Sequence, residues 1–136
     1  MMTTLQETCP LCAVCKQQPI PAFMATLTAR SLLCAENAPL IFDRERLDTR
    51  NDYDVRHGVF RAPVIGTYMF FATPTAQAGD AFHTTILNNL LTEEIGLLFG
   101  NNGQTEWSND STTIVVQLVA GDDVWLACNM PSTITG

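Results

Sequence analysis

From position 21 onward the chain repeats short runs of apolar and β-branched residues with turn residues between them, at 22–28, 40–42, 58–61, 66–73, 82–87, 95–99, 112–119 and 123–128. Runs this short, rich in Val, Ile, Thr, Phe and Tyr and bounded by Gly, Pro, Asn and Asp, read as strands. Repeated along most of the chain, they predict an all-β fold, an antiparallel sandwich or barrel. Period-two alternation is visible within them: Phe82, Thr84 and Ile86 against His83, Thr85 and Leu87, and Ile114, Val116 and Leu118 against Thr113, Val115 and Gln117. Several runs are apolar on both faces, which implies a second buried surface, either an inter-sheet core or a contact between subunits. The best helical candidate, 88–98, carries Glu93-Glu94 among aliphatics and is interrupted by Gly96, so it is read as a hairpin or strand entry.

Residues 1–20 break this rhythm. They are polar or cysteine-bearing, are punctuated by Pro10 and Pro19, and keep neither period, so they are expected to form a leader or stalk. The remainder fits one domain, since 136 residues suffice for one core and not for two. With 46% hydrophobic and 15% charged residues, the chain is too apolar to be disordered.

Charge removes one class of partner. The formal net charge is -7 and Lys16 is the single lysine, so no basic cluster can neutralise a nucleic-acid backbone. Arg44, Arg46, Arg50, Arg56 and Arg61 alternate with Asp43, Glu45, Asp48, Asp52 and Asp54, the pattern of a solvated surface with local ion pairs. No run is long and apolar enough to insert in a membrane, and 1–8 lacks the basic-then-apolar pattern of a secretory signal.

Candidate chemistry is sparse. Cys9, Cys12 and Cys15 have the spacing of inter-chain disulfides or free thiols in a stalk, then of a metal site, and least of a redox centre. A zinc site needs a fourth ligand, and Cys34, His57, His83 and Cys128 have no paired spacing of their own. His57 and His83, the only histidines, accompany no nucleophile signature and are read as surface or hydrogen-bonded structural residues. Glu93-Glu94 and Asp122-Asp123 are adjacent pairs, which a strand would send to opposite faces, so no paired acid and base is available and no enzymatic activity is expected. Asn109-Asp110-Ser111 is an acceptor pattern for N-glycosylation in a secreted chain, and Asn101-Asn102-Gly103 a hairpin turn.

Two stretches say more than any of these: Gly58-Val59-Phe60-Arg61-Ala62-Pro63-Val64-Ile65-Gly66-Thr67-Tyr68-Met69-Phe70-Phe71, and Gly121-Asp122-Asp123-Val124-Trp125-Leu126. With Pro21-Ala22-Phe23-Met24-Ala25, Pro39-Leu40-Ile41-Phe42-Asp43 and Asn51-Asp52-Tyr53-Asp54, in this order and spacing, the chain from Pro21 to at least Cys128 resembles the globular head domain of the complement C1q family. The resemblance implies a C1q-like domain over 21–136, a jelly-roll β-sandwich of two antiparallel sheets in the tumour necrosis factor-like group, assembled as a homotrimer. Within that frame Phe60, Tyr68 and Phe70 share one layer, Pro63 and Gly66 turn the corner between their strands, and Gly121 leads into a strand whose Trp125 closes the core.

The resemblance also sets expectations for function: a non-enzymatic, extracellular recognition module of innate immunity, binding microbial glycans, lipopolysaccharide or proteins. The alternatives are a cytokine-like receptor ligand and, further off, an intracellular metal or redox protein using the cysteine cluster. Some relatives bind calcium, for which Asp80, in the Gln77-Ala78-Gly79-Asp80 turn, is the nearest match. Two departures stand out. Neither a signal peptide nor collagen-like repeats are present, so no collagen-driven assembly is expected. Residues 132–136 are either the start of the family's closing strand, lacking its apolar end, or a loop.

Overall fold

A computed structural model describes residues 19–89, 93–100 and 105–136. Cys9, Cys12 and Cys15, most of the expected leader and the Asn101-Asn102-Gly103 turn lie outside the described residues. Within them every regular element is a strand: β1 (Phe23–Thr26), β2 (Leu32–Cys34), β3 (Arg44–Asp48), β4 (Tyr53–Asp54), β5 (Val59–Arg61), β6 (Gly66–Ala72), β7 (Thr75–Ala76), β8 (Phe82–Asn88), β9 (Glu93–Gly100), β10 (Ser108–Asn109), β11 (Thr112–Leu118), β12 (Asp123–Cys128) and β13 (Ser132–Ile134). The 88–98 segment begins in the last residue of β8 and ends within β9, where Gly96 pairs with Ile86.

The strands form the all-β sandwich of a jelly roll. One layer is a continuous antiparallel sheet in the order β4-β5-β12-β8-β9. The other is divided into pairs, β1 with β3, β2 with β13 and β6 with β11, and β7 pairs with β10 beside them. Alternation drives the assembly. Phe82, Thr84 and Ile86 of β8 are buried, as are Tyr68 and Phe70 of β6, so each strand sends one set of side chains into the space between the layers. Thr85 is buried on the other face of β8, where its hydroxyl donates to Asn129 Oδ1 at 2.6 Å.

An aromatic cluster fills one end of that space. Phe23 stacks on Tyr53 (ring centroids 4.7 Å apart) and on Phe60 (5.1 Å), and Phe60 meets Phe70 edge-on at 5.4 Å. Tyr68 lies 5.8 Å from Phe60, and its hydroxyl donates to the Val64 carbonyl at 2.7 Å across the corner that holds Pro63 and Gly66. Burial pushes the Tyr53 hydroxyl up to about 12, and it donates to the Phe42 carbonyl at 3.0 Å. Gly58 is required where it stands. Its φ is +72°, and a Cβ there would come within 3.1 Å of both Ile41 Cα and the Leu40 carbonyl oxygen.

Three expectations need correction, and one open alternative is decided. Residues 40–42 are not a strand: Leu40 is fully buried and its amide donates to Leu126 O at 2.8 Å, so the segment is apolar because it seals the end of β12. The strand lies further on, in the charged β3, whose exposed side chains hide it from a hydrophobic pattern. Residues 132–134 are strand rather than loop, because Ile134 is fully buried and β13 pairs in register with β2. Cys34 and Cys128 form a disulfide, with Cα atoms 6.2 Å apart, which removes both as fourth ligands for zinc. Trp125 does not close the core. It faces away from the inter-layer space and is half-buried, because the register that pairs Val124 with Phe60 gives the inward position to Val124.

Candidate interaction surface

The core side of the β6–β11 pair is filled, and its other side is open. Gly66 pairs with Leu118 at one end of the ladder and Ala72 with Thr112 at the other, which sets Met69 opposite Val115 and Phe71 opposite Thr113. These residues point away from the core. Val115 is 67% exposed, Phe71 53% and Met69 39%, beside Thr67, Thr113 and Gln117. On the neighbouring pair Met24 lies opposite Leu47, both exposed, so this side of the molecule presents several large apolar side chains without a basic or acidic residue among the two β6–β11 strands. Such a face is the usual mark of a surface covered in an assembly.

A second feature is a polar cleft of about 900 Å³ formed by the β3–β4 connection, the β4–β5 turn and the start of β12. Asp48, at the end of β3, anchors the connection that lines it: Oδ1 accepts from the Asp52 amide at 3.0 Å and Oδ2 from the Tyr53 amide at 2.8 Å, an Asx-type turn that fixes the chain ahead of β4. Asp54 does the same one turn later. Its Oδ1 accepts from the Arg56 amide at 2.8 Å, and its Oδ2 lies 2.6 Å from His57 Nδ1. These bonds, the one from the His57 ring first and the Arg56 amide next, hold the Asp54 carboxyl below its ordinary value. Arg61 Nε donates to Asp123 Oδ1 at 2.9 Å across β5 and β12, and this bond raises the guanidinium's affinity for its proton. Asp52 is different. Its Oδ2 is buried without a hydrogen-bond partner, and desolvation raises its pKa.

The sequence-derived candidates are dispersed around these features. Asp80 sits in a turn closed by its own amide on the Gln77 carbonyl at 3.0 Å. Among the described residues no group of three or more His, Cys, Asp or Glu that could hold a metal ion converges, at Asp80 or elsewhere. His57 is an exposed member of the cleft, and His83 packs edge-on to Phe99 at 5.8 Å with Asn129 beside its ring. Asn109 is exposed on β10, where a glycan would meet solvent. Phe60, Tyr68 and Phe70 lie inside the sandwich and Gly121 in the turn before β12, at a φ of +92°.

The sequence reading missed Met69 and Phe71 as surface residues. Their signal was present in the alternation, since Tyr68 and Phe70 inward require Met69 and Phe71 outward. The cleft was also missed, because it joins residues on either side of β4 to Asp123, far along the chain.

Known proteins fall in line with this geometry. The sequence pattern described as "C1q domain" matches residues 22–135. Complement C1q tumor necrosis factor-related protein 3 of Mus musculus is 29% identical over 106 residues, which cover 77% of this chain and 42% of that protein, and the Homo sapiens protein of the same name gives the same figures. The chain thus matches less than half the length of these curated relatives. Among solved structures, the globular domain of zebrafish complement 1qA protein superposes with a TM-score of 0.60 at 21% identity, covering 84% of this chain and 90% of that one.

Proposed function

The chain belongs to the C1q domain family, and we propose that it is an extracellular, non-enzymatic recognition module that acts as a homotrimer and binds microbial glycans, lipopolysaccharide or surface proteins. The observation that carries this reading is the exposed apolar face of β6 and β11 on a domain whose core is already filled. Covering Met69, Phe71 and Val115 between three copies removes that face from water and brings three identical binding surfaces together. Weak single contacts then add through avidity. The Cys34–Cys128 disulfide suits an oxidising compartment. The polar cleft, with its carboxylates, His57 and Arg61, offers the hydrogen-bonding groups a sugar's hydroxyls require.

The test is direct. Light scattering with and without reductant measures the assembly, and a panel of microbial glycans and lipopolysaccharides, with and without calcium, measures recognition. A monomer under all conditions sinks the avidity argument. A trimer that binds none of the panel favours a second reading, a receptor ligand, which the curated relatives' description as tumor necrosis factor-related supports.

A further inference from the structure

Trp107 is the most exposed aromatic residue among those described, with 63% of its surface open to water. An indole left in water forgoes a large burial contribution, so its surroundings show what it is suited to meet. It stands immediately before β10, and burial alternates through this stretch: Trp107, Asn109 and Ser111 are exposed, whereas Ser108 and Asp110 are half-buried. Such alternation puts Trp107, Asn109 and Ser111 on one face, with Trp107 and Asn109 roughly 7 Å apart at about 3.3 Å per residue.

Asp110 fixes that face. Its Oδ2 accepts from the Phe99 amide of β9 at 3.0 Å and its Oδ1 from the Ser111 amide at 2.9 Å. On the other side Asn109 pairs with Thr75 of β7, and the Asp110 amide donates to the Pro74 carbonyl at 3.4 Å. The backbone is thus tied to β7 and to β9, and the Asn109 side chain is left to solvent beside the indole. Other exposed neighbours of Trp107 along the chain are polar, Thr105, Glu106 and Ser111, unlike the contiguous apolar face of β6 and β11. These surroundings suit a sugar better than an apolar protein surface.

We propose that Trp107 is the platform on which the first sugar of an N-linked glycan at Asn109 packs. Asn109-Asp110-Ser111 is the acceptor pattern, and the inference rests on the reading of the chain as extracellular, because the secretory route adds such glycans. The host transferase forms the bond from Asn109 Nδ2 to the anomeric carbon of N-acetylglucosamine and breaks that carbon's bond to a lipid diphosphate, which leaves as the anion while the amide gives up one proton. The C–H bonds on one face of the pyranose then meet the electron-rich face of the indole, and the acetamido methyl extends the apolar contact. Hydroxyls on the other face stay with water. The sugar covers the exposed ring and braces β10, a strand of two residues, against the segment ahead of it.

The test uses the whole chain secreted from a glycosylating host and trimmed with an endoglycosidase that leaves a single N-acetylglucosamine on Asn109. Proton NMR is expected to place the acetyl methyl signal upfield of its position in the free sugar, moved there by the indole ring current. Trp107→Ala should return it, and Trp107→Phe should keep part of the shift. In urea unfolding the sugar should lower the unfolding constant about fivefold in the parent and leave it unchanged in Trp107→Ala. Hydrogen exchange at the amides of β10 should slow with the sugar in place. An acetyl methyl at its free-sugar position, or equal stabilisation without the indole, overturns the platform and leaves the extracellular reading intact, which stands or falls on the binding panel. A secreted chain unmodified at Asn109 overturns it at the acceptor. So does an indole that becomes shielded in the unglycosylated chain as protein concentration rises, which would assign Trp107 to a contact between copies.

Discussion

Cys34 and Cys128 are bonded to each other across 94 positions of sequence, tying β2 to the last residue of β12. Closing so long a loop removes much of the unfolded chain's freedom. Replacing both with serine is expected to cost about 2–5 kcal/mol, read from urea unfolding of oxidised protein and variant. An unchanged midpoint would mean that the unfolded chain is already compact around this pair.

Phe60 is the hub of the aromatic cluster, within 6 Å of Phe23, Tyr68 and Phe70 by ring centroid. Phe60→Ala should destabilise by about 3–5 kcal/mol. Trp125→Ala, which removes a larger but half-buried ring, should cost less. Chemical denaturation of the two variants side by side decides the order, and a larger loss at Trp125 would refute the inward assignment of Val124.

Acid should act on the cleft in two directions. The Asp54 carboxyl is held below its ordinary 3.8 by His57 and the Arg56 amide, so its stabilising contribution is complete above 3.8 and is lost as pH falls through the lower folded value. His57→Ala should return the Asp54 titration toward 3.8, as followed by carboxyl NMR. Asp52 is raised by desolvation, so the folded state favours its protonated form below 3.8 and loses that advantage as pH rises through the folded value. Asp52→Asn should therefore raise the melting temperature at neutral pH, with the gain shrinking on acidification. A gain independent of pH would exclude the carboxylate's burial as its cause.

Met69→Glu or Val115→Glu places a carboxylate on the exposed face of β6 and β11, where three copies would bring like charges together. Light scattering should report monomers whose circular dichroism matches the parent. An intact trimer would move the subunit contact to another face.

Secretion from a glycosylating host should add one glycan at Asn109, and Asn109→Gln should remove that mass. An unmodified secreted chain would show that Asn109 on β10 is not reached by the transferase.

The sequence made the frame legible because its strongest strands carry inward aromatics at alternate positions, as in Tyr68 and Phe70. β3 was not legible, since Arg44, Glu45 and Arg46 are exposed on a two-stranded edge and contribute backbone pairing rather than burial. The disulfide was hidden for a different reason. Cys34 and Cys128 have no local spacing in common, and it takes the pairing of β2 with β13 and of residues 37–40 with the end of β12 to bring them together. Of the candidate surface, the apolar face followed from alternation already in the sequence, whereas the cleft depends on tertiary contact between β5 and β12.

The two layers also differ in how far a local rupture can spread. In the five-stranded sheet, opening β8 or β12 breaks ladders on both sides at once, so these strands should exchange their amides only through events close to global unfolding. β1 and β3 share one short ladder, and β4 and β9 at the sheet's edges are each paired on one side. The molecule is thus a plate whose two central strands are its slowest-opening hinges, with the faster openings left to the strands held on a single side.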